Sequence, residues 1–468
     1  MIKLHTVLTI AGSDSCGGAG IQADLKTFAA LGVHGTCAIT SITAQNTLGV
    51  LCVHNLPVEV IESQIDAIAS DMDIKYAKTG MLSTPEIVKA VAKKIKEYNI
   101  PLVVDPVMSA EAGGIPLFCR IKSAIDVLTK ELFPIATVIT PNIYESSYLS
   151  GRGYEKIKSV EDMKKSAIEL CNKGVKAVII TGGHLDATDV LYDGKEFFVL
   201  KGELIKGGTH GAGCTYAAAL TANLANQKSL YNSALSAKEF VSMAIKNSIK
   251  IGKGVGTVNQ VHTLIENAER YKVLKNVQSA LSKLKQCDSF YKLLPEVGSN
   301  IGMAIPNATT QKDVAAVCGR IVAIRGTCDM PKIHPVGGVD FGASGHVARI
   351  ILSAMQFDNN MKSAINIKYS KKTLDACRRL GLSISSFERK NEPPLDCRLQ
   401  IADCGMNNPK SKIRNPKSNV GTMEWGVETA TKKFGRVPDV IYDLGEVGKE
   451  PMIRILGKSA IDVVDKVI

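Results

Sequence analysis

Val7-Leu8-Thr9-Ile10-Ala11-Gly12-Ser13-Asp14-Ser15-Cys16-Gly17-Gly18-Ala19-Gly20-Ile21 decides the architecture of the first half of the chain. Its opening residues are a short apolar run suited to a buried strand. A glycine-rich turn follows, and then a helix whose apolar positions Ile21, Leu25 and Phe28 recur at spacings of four and three. A strand that ends in such a turn and feeds a helix begins a βα unit, and the carboxyl end of that strand is where a parallel sheet binds ligands. The glycines do not follow the dinucleotide fingerprint G-x-G-x-x-G, and no lysine follows them to make a Walker loop. On its residues alone the turn reads equally as a ligand cradle or as a plain tight turn.

Working outward, the same alternation continues. Strands are expected over 38–43, 102–104, 138–140 and 177–180, and helices over 60–69, 85–98, 213–226 and 233–251. Pro85 stands where a first helical turn tolerates it, and Asp193-Gly194 between short apolar runs predicts a hairpin. Short apolar strands separated by amphipathic helices predict a mostly parallel α/β sheet covered on both faces, over residues 1–264. Residues 265–284 are helical in pattern and charged, and read as a solvated connector. From 285 to 468 a smaller unit, α/β or α+β, is expected, with strands at 320–324 and 440–442 and helices at 347–355 and 374–380. Within it, 396–420 lose all periodicity, and Asn-Pro-Lys-Ser occurs at Asn408 and again at Asn415. A repeat carrying proline at each copy cannot be a helical heptad, so this stretch predicts an inserted surface loop.

Composition narrows the function class. At 468 residues, with 45% hydrophobic and 22% charged, the chain can bury real cores and is neither disordered nor a disulfide-stapled mini-protein. No apolar run reaches the ~18–20 residues of a membrane helix, and the first residues carry no signal-peptide pattern. A cytoplasmic protein is the expectation. Twelve cysteines are scattered singly, with no C-x-x-C pair, which predicts reduced thiols rather than a zinc or redox site. The net charge of +12 suits anionic ligands. One tryptophan and 5% aromatics argue against a base-stacking surface, so no nucleic acid partner is expected.

Four constellations carry chemistry. The first is the turn from Gly12 to Gly20. The second is Lys206-Gly207-Gly208-Thr209-His210-Gly211-Ala212-Gly213-Cys214-Thr215, ahead of an alanine-rich helix. Uncovered backbone N–H groups at Gly211 and Gly213, with the positive end of the helix dipole, predict an anion hole for a phosphoryl group. Cys214 at that helix start predicts a favoured thiolate, against the ordinary reading of a structural cysteine. The third is Thr140-Pro141-Asn142 with Glu145, and the fourth is Asp105-Pro106-Val107-Met108, both at strand ends. Asp105 and Glu145 are hard oxygen ligands of the kind Mg²⁺ takes beside phosphates, although a strand-end Asp is often only a cap.

Residues from about 5 to 260 closely resemble the hydroxymethylpyrimidine and phosphomethylpyrimidine kinases, members of the ribokinase-like superfamily. The resemblance rests on Thr9-Ile10-Ala11-Gly12-Ser13-Asp14, Gly17-Gly18-Ala19-Gly20-Ile21-Gln22-Ala23-Asp24, Ala44-Gln45-Asn46-Thr47, Lys78-Thr79-Gly80-Met81-Leu82 and Gly182-Gly183-His184. It implies ATP as phosphoryl donor with Mg²⁺. It also implies that Gln45 bonds an aminopyrimidine, that Gly12, Asp24, Met81 and Val107 line its pocket, and that Asn142, Gly211 and Gly213 contact phosphate. Cys214 then stands as base for the substrate hydroxyl. Where relatives often carry lysine before Gly-Gly-His, this chain has Thr181. An amide such as Gln45, donor and acceptor at once, is what a planar pyrimidine edge needs.

The rear part resembles the thiamine-phosphate synthase domain that archaea fuse behind this kinase. Its words are Gly319-Arg320-Ile321, Phe341-Gly342-Ala343-Ser344-Gly345-His346-Val347-Ala348-Arg349, Glu424-Trp425-Gly426 and the run from Asp443 to Pro451. The resemblance implies Arg320 and His346 as the catalytically required pair, joining a pyrimidine diphosphate to a thiazole phosphate. An arginine fork suits a leaving diphosphate, while the plain reading of His346 is a helix-start hydrogen bond. The partners expected are these small molecules and, for the assembly, a homo-oligomer such as a dimer. Two rivals stay open: a pyridoxal or sugar kinase with an inert tail, and a kinase whose rear half only senses thiamine phosphate.

Overall fold

The computed structural model describes residues 4–108, 117–152, 157–183, 185–324, 331–392 and 421–468, with the side chains of 117–122 left aside. The chain divides into two compact units, 1–264 and 265–468. The first is built on nine strands: β1 (Thr6–Asp14), β2 (His34–Asn46), β3 (Gly49–Asn55), β4 (Ile74–Thr79), β5 (Leu102–Val104), β6 (Ala136–Ile139), β7 (Val178–Ile180), β8 (Asp189–Tyr192) and β9 (Phe197–Leu200). They lie in the order β3-β2-β1-β4-β5-β6-β7-β8-β9. The six strands from β2 to β7 pair in parallel, as the sequence predicts, and antiparallel strands finish both edges. The hairpin at Asp193-Gly194 is there, joining β8 to β9. Strand β3 has no counterpart in the sequence reading, because its residues alternate weakly and four of its seven are exposed.

Period-2 alternation divides each central strand between two cores. Leu8, Leu102, Val104 and Ile139 point into one, beneath α2 (Val58–Ala69), α3 (Pro85–Glu97) and α6 (Val160–Cys171). Their neighbours Val7, Val103, Val138 and Ile179 point the other way, under α1 (Gly20–Ala30), α7 (Ala212–Ala225) and α8 (Leu230–Lys246). Helix α7 is buried on every side from Thr215 to Ala225, which its run of alanines permits at close range. With α4 (Leu117–Glu131) and α5 (Ile143–Leu149) the helices cover both faces, so every βα turn opens at the carboxyl edge of the sheet.

The second unit starts within α9 (His262–Gln286). The helix falls where the sequence places it, but it is no solvated connector. Val273, Val277, Ala280, Leu281 and Leu284 are buried in the core of the second unit. Its seven-stranded sheet has the order β14-β11-β10-β15-β18-β17-β16, from β10 (Ile301–Ala304), β11 (Val314–Val317), β14 (Val339–Phe341), β15 (Ser363–Lys368), β16 (Ile384–Ser386), β17 (Val440–Asp443) and β18 (Met452–Gly457). It is a mixed sheet, antiparallel except for β16–β17. β12 (Ile321–Ile324) and β13 (Lys332–Pro335) form a separate ribbon. On one face lie α10 (Gly345–Met355) and α12 (Thr422–Phe434), packed over Ala364, Ile441 and Leu456. On the other, α9, α11 (Lys371–Arg379) and α13 (Ala460–Val467) enclose Ile365, Ile453 and Ile455. The expected loop 396–420 lies outside the described residues. Among those described, no helix is long and apolar enough to cross a membrane.

Candidate active sites

At the carboxyl edge of the first sheet a cavity of about 520 Å³ opens. Gly12, Gln45, Met81, Asp105, Val107, Asn142, Glu145, Gly211, Gly213 and Cys214 all line it, and Thr181 does too. Seven segments far apart in sequence therefore converge, because each sits at the end of a parallel strand or at the start of α7.

Asp24 departs from expectation. It is fully buried on α1 and is not part of the lining. Its carboxylate accepts from Thr9 Oγ1 at 2.6 Å and from Lys78 Nζ at 3.0 Å. Lys78 does line the cavity, is itself fully buried, and lies 3.7 Å from Asp105. Asp24 thus holds the lysine that faces the ligand space and does not face it itself.

Of the two other carboxylates, Asp105 is short of partners among the described residues. Asp105 Oδ2 is buried with no hydrogen bond. Burial pushes Asp105 up to about 6, against the pull of Lys78. Glu145 is pushed up to about 8, by burial first and then by the Asp105 charge. Glu145 is also structural: with Asn142 it closes a capping box at the start of α5, accepting from Asn142 N at 2.9 Å while Asn142 Oδ1 accepts from Glu145 N at 2.9 Å. An orphaned carboxylate oxygen beside a second buried carboxylate is a donor set that fits a hard divalent cation.

The two glycine-rich turns meet backbone to backbone. Gly211 caps α7 at φ +87°, and a Cβ there would sit on the Gly18 carbonyl oxygen. Gly213 faces open space, and no side chain caps the helix start, so first-turn N–H groups are left for an anion. His210, 2% exposed, contacts Asp14 Oδ2 at 3.1 Å and Gln45 Nε2 at 3.4 Å. Asp14 in turn accepts from the amides of Cys16, Gly18 and Ala19. Burial works against its charge, yet these bonds with that of His210 hold it below the usual carboxylate range. The expected thiolate at Cys214 is not what the surroundings favour. Burial pushes the thiol up to about 12, against the pull of Lys78, and the charges of Asp105 and Asp24 add to the rise.

In the second unit, His346 follows Ser344, the N-cap of α10, whose Oγ accepts from Val347 N at 3.5 Å. Its imidazole is pushed down to about 4, by burial first and then by the positive charges of Arg454, Arg320, Arg349 and Arg389. Arg320 and His346 therefore share one electropositive site, as expected. Sequence reasoning missed Asp443, which accepts from Arg389 Nε at 2.7 Å and from Arg454 Nη1 at 2.7 Å. It also missed the role of Lys78, although a lysine inside an apolar parallel strand is itself a signal, since lysine is almost never fully buried unpaired.

The profile of the phosphomethylpyrimidine kinase family matches residues 14–259, and that of the thiamine-phosphate synthase family ThiN matches residues 276–468. A bifunctional thiamine biosynthesis protein, ThiDN, of Methanocaldococcus jannaschii is 36% identical over 462 residues, 98% of this chain and 97% of its own. A hydroxymethylpyrimidine/phosphomethylpyrimidine kinase of Bacillus subtilis is 45% identical over 264 residues, 55% of this chain and 95% of its own. Among solved structures, an ADP complex of Bacillus subtilis pyridoxal kinase superposes on 56% of this chain and all of its own, with a TM-score of 0.52 and 41% identity. These likenesses give no support to a rear half that only senses thiamine phosphate. With both profiles matched in sequence and a relative aligned from end to end, the chain belongs to the family of bifunctional thiamine biosynthesis proteins, a phosphomethylpyrimidine kinase followed by a ThiN-type thiamine-phosphate synthase.

Proposed function

We propose that the first unit transfers the γ-phosphoryl group of ATP to 4-amino-5-hydroxymethyl-2-methylpyrimidine and then to its monophosphate. The second unit joins the resulting diphosphate to a thiazole phosphate, giving thiamine phosphate and inorganic diphosphate. The observation that carries this reading is the single cavity in which Gln45, Cys214 and the uncapped start of α7 face one another. Gln45 offers donor and acceptor to the pyrimidine edge, and Gly12 and Met81 shape the wall beside it. First-turn N–H groups at Gly211 and Gly213 and the amide of Asn142 receive phosphoryl oxygens, while Lys78 balances their charge. Asp105 and Glu145 would hold Mg²⁺, which supplies charge neutralisation to the phosphates when bound. Phosphoryl transfer needs mainly positioning and electrostatics. Cys214 therefore serves as the hydroxyl's hydrogen-bond partner, and Asp105 is its outlet for the proton.

The likeness to a pyridoxal kinase favours a second reading, in which pyridoxal is the acceptor. One assay separates them: purified protein with ATP, Mg²⁺, hydroxymethylpyrimidine and thiazole phosphate, with pyridoxal in a parallel reaction. Thiamine phosphate should accumulate. Its absence, with rapid phosphorylation of pyridoxal, would replace the first reading by the second.

A further inference from the structure

Arg454 is fully buried on β18, and it lies opposite Asn366 of β15 and Ile441 of β17 on the sheet face covered by α10 and α12. Among the described residues only its Nη1 is engaged, by Asp443 Oδ2, and Nε and Nη2 have no hydrogen-bond partner. Asp443 is shared with Arg389, whose Nε and Nη2 lie 2.7 and 3.3 Å from its two oxygens, and it also accepts from Gly445 N at 2.9 Å. One buried carboxylate is thus set against two guanidinium groups. Phe387 packs its ring 5.4 Å from the Arg454 guanidinium carbon, closing one face of the fork. Buried donors without partners and buried charge without compensation are both costly. A protein keeps such a group where a ligand completes it.

We propose that the free Nε–Nη2 edge of Arg454 binds a phosphoryl group of a synthase substrate, with Asp443 as the positioning residue that fixes the fork. The geometry suits this role. Nε and one Nη form the side of a guanidinium that pairs with two oxygens of one phosphate, and Asp443 occupies the other end, so the fork cannot rotate. Arg454 lies on the sheet face that α10 covers, and His346 stands in the first turn of that helix. The inference rests on the synthase reading above and adds a binding residue to it.

The ligand has two sources, the pyrimidine diphosphate and the thiazole phosphate, and kinetics on the full chain separate them. Without ATP, so that the kinase is idle, wild type and Arg454→Met are given both substrates. The KM of each and the inhibition constant of inorganic diphosphate are then measured. The expected result is a rise of at least tenfold in the KM for the pyrimidine diphosphate and in the diphosphate inhibition constant together, with the KM for thiazole phosphate unchanged. A rise confined to thiazole phosphate would assign Arg454 to the other phosphoryl group. No change in any of the three would overturn the proposal. The chemical denaturation transition of the second unit in the same variant reports that this unit is folded, and Arg454→Lys, which keeps the charge, should recover part of the affinity. Asp443→Asn should raise the same constant as Arg454→Met, whereas a purely structural role would lower only the amount of active enzyme. Wild type that is stabilised to heat by inorganic diphosphate, with AMP-PCP saturating the kinase, but makes no thiamine phosphate would sink the synthase reading alone. Equal stabilisation of wild type and Arg454→Met would sink this one.

Discussion

Lys78 shows best how single residues carry the first site. It is fully buried between Asp24 and Asp105. Lys78→Met should cost about 3–5 kcal/mol, the usual result of leaving buried carboxylates without their cation, and urea denaturation of the first unit should show it. Cys214→Ala should keep ATP binding, since the backbone amides remain, while phosphorylation falls by about 10²–10⁴-fold. Unchanged turnover would remove Cys214 from the reaction. His346 predicts a pH effect. Its folded value is pushed down to about 4 while the unfolded chain titrates at its ordinary 6.5. As pH falls from about 6.5 toward 4 the unfolded state takes up a proton that the folded state refuses, so stability is lost across that window. His346→Asn should show a shallower loss, and parallel curves would contradict the burial of a neutral imidazole. Ten of the eleven residues expected in the kinase pocket line one cavity, because strand ends and glycine-rich turns are local signals that a sequence displays. Asp24 was misplaced and Lys78 overlooked for one reason: their pairing spans 54 positions and joins α1 to β4, which no local pattern displays.

Elements were legible in proportion to their local periodicity. Most parallel strands buried on both faces stand out as apolar runs, and β12 falls within the expected 320–324, whereas β3, an exposed edge strand, β4 with its two lysines, and β13 do not stand out. Helix α9 is the instructive failure. Its many charged residues suggest a solvated rod, yet its apolar positions Val273, Val277, Ala280 and Leu284 fall three or four apart and face one core. Leu284→Ala should therefore cost the second unit about 2–5 kcal/mol, as for a core leucine. A solvated connector would lose less than about 0.5 kcal/mol. Chemical denaturation of the full chain, followed by synthase activity, distinguishes the two. By the same argument a fragment starting at Ile265 should hold its fold better than one starting at Val277, which lacks Val273 and the first turns of the helix.

Over the whole molecule, each unit has its own cores and its own sheet. Domains with separate cores act independently unless a large interface couples them. The central claim is that one chain holds two complete and separate active sites whose reactions follow one another. The most direct measurement mixes two inactive full-length variants, Cys214→Ala and His346→Ala, with hydroxymethylpyrimidine, thiazole phosphate, ATP and Mg²⁺. Each alone should make almost no thiamine phosphate. Together they should make it, after a lag in which the His346→Ala chain supplies diphosphate to the intact synthase of the other. A mixture as inactive as its components would contradict the account.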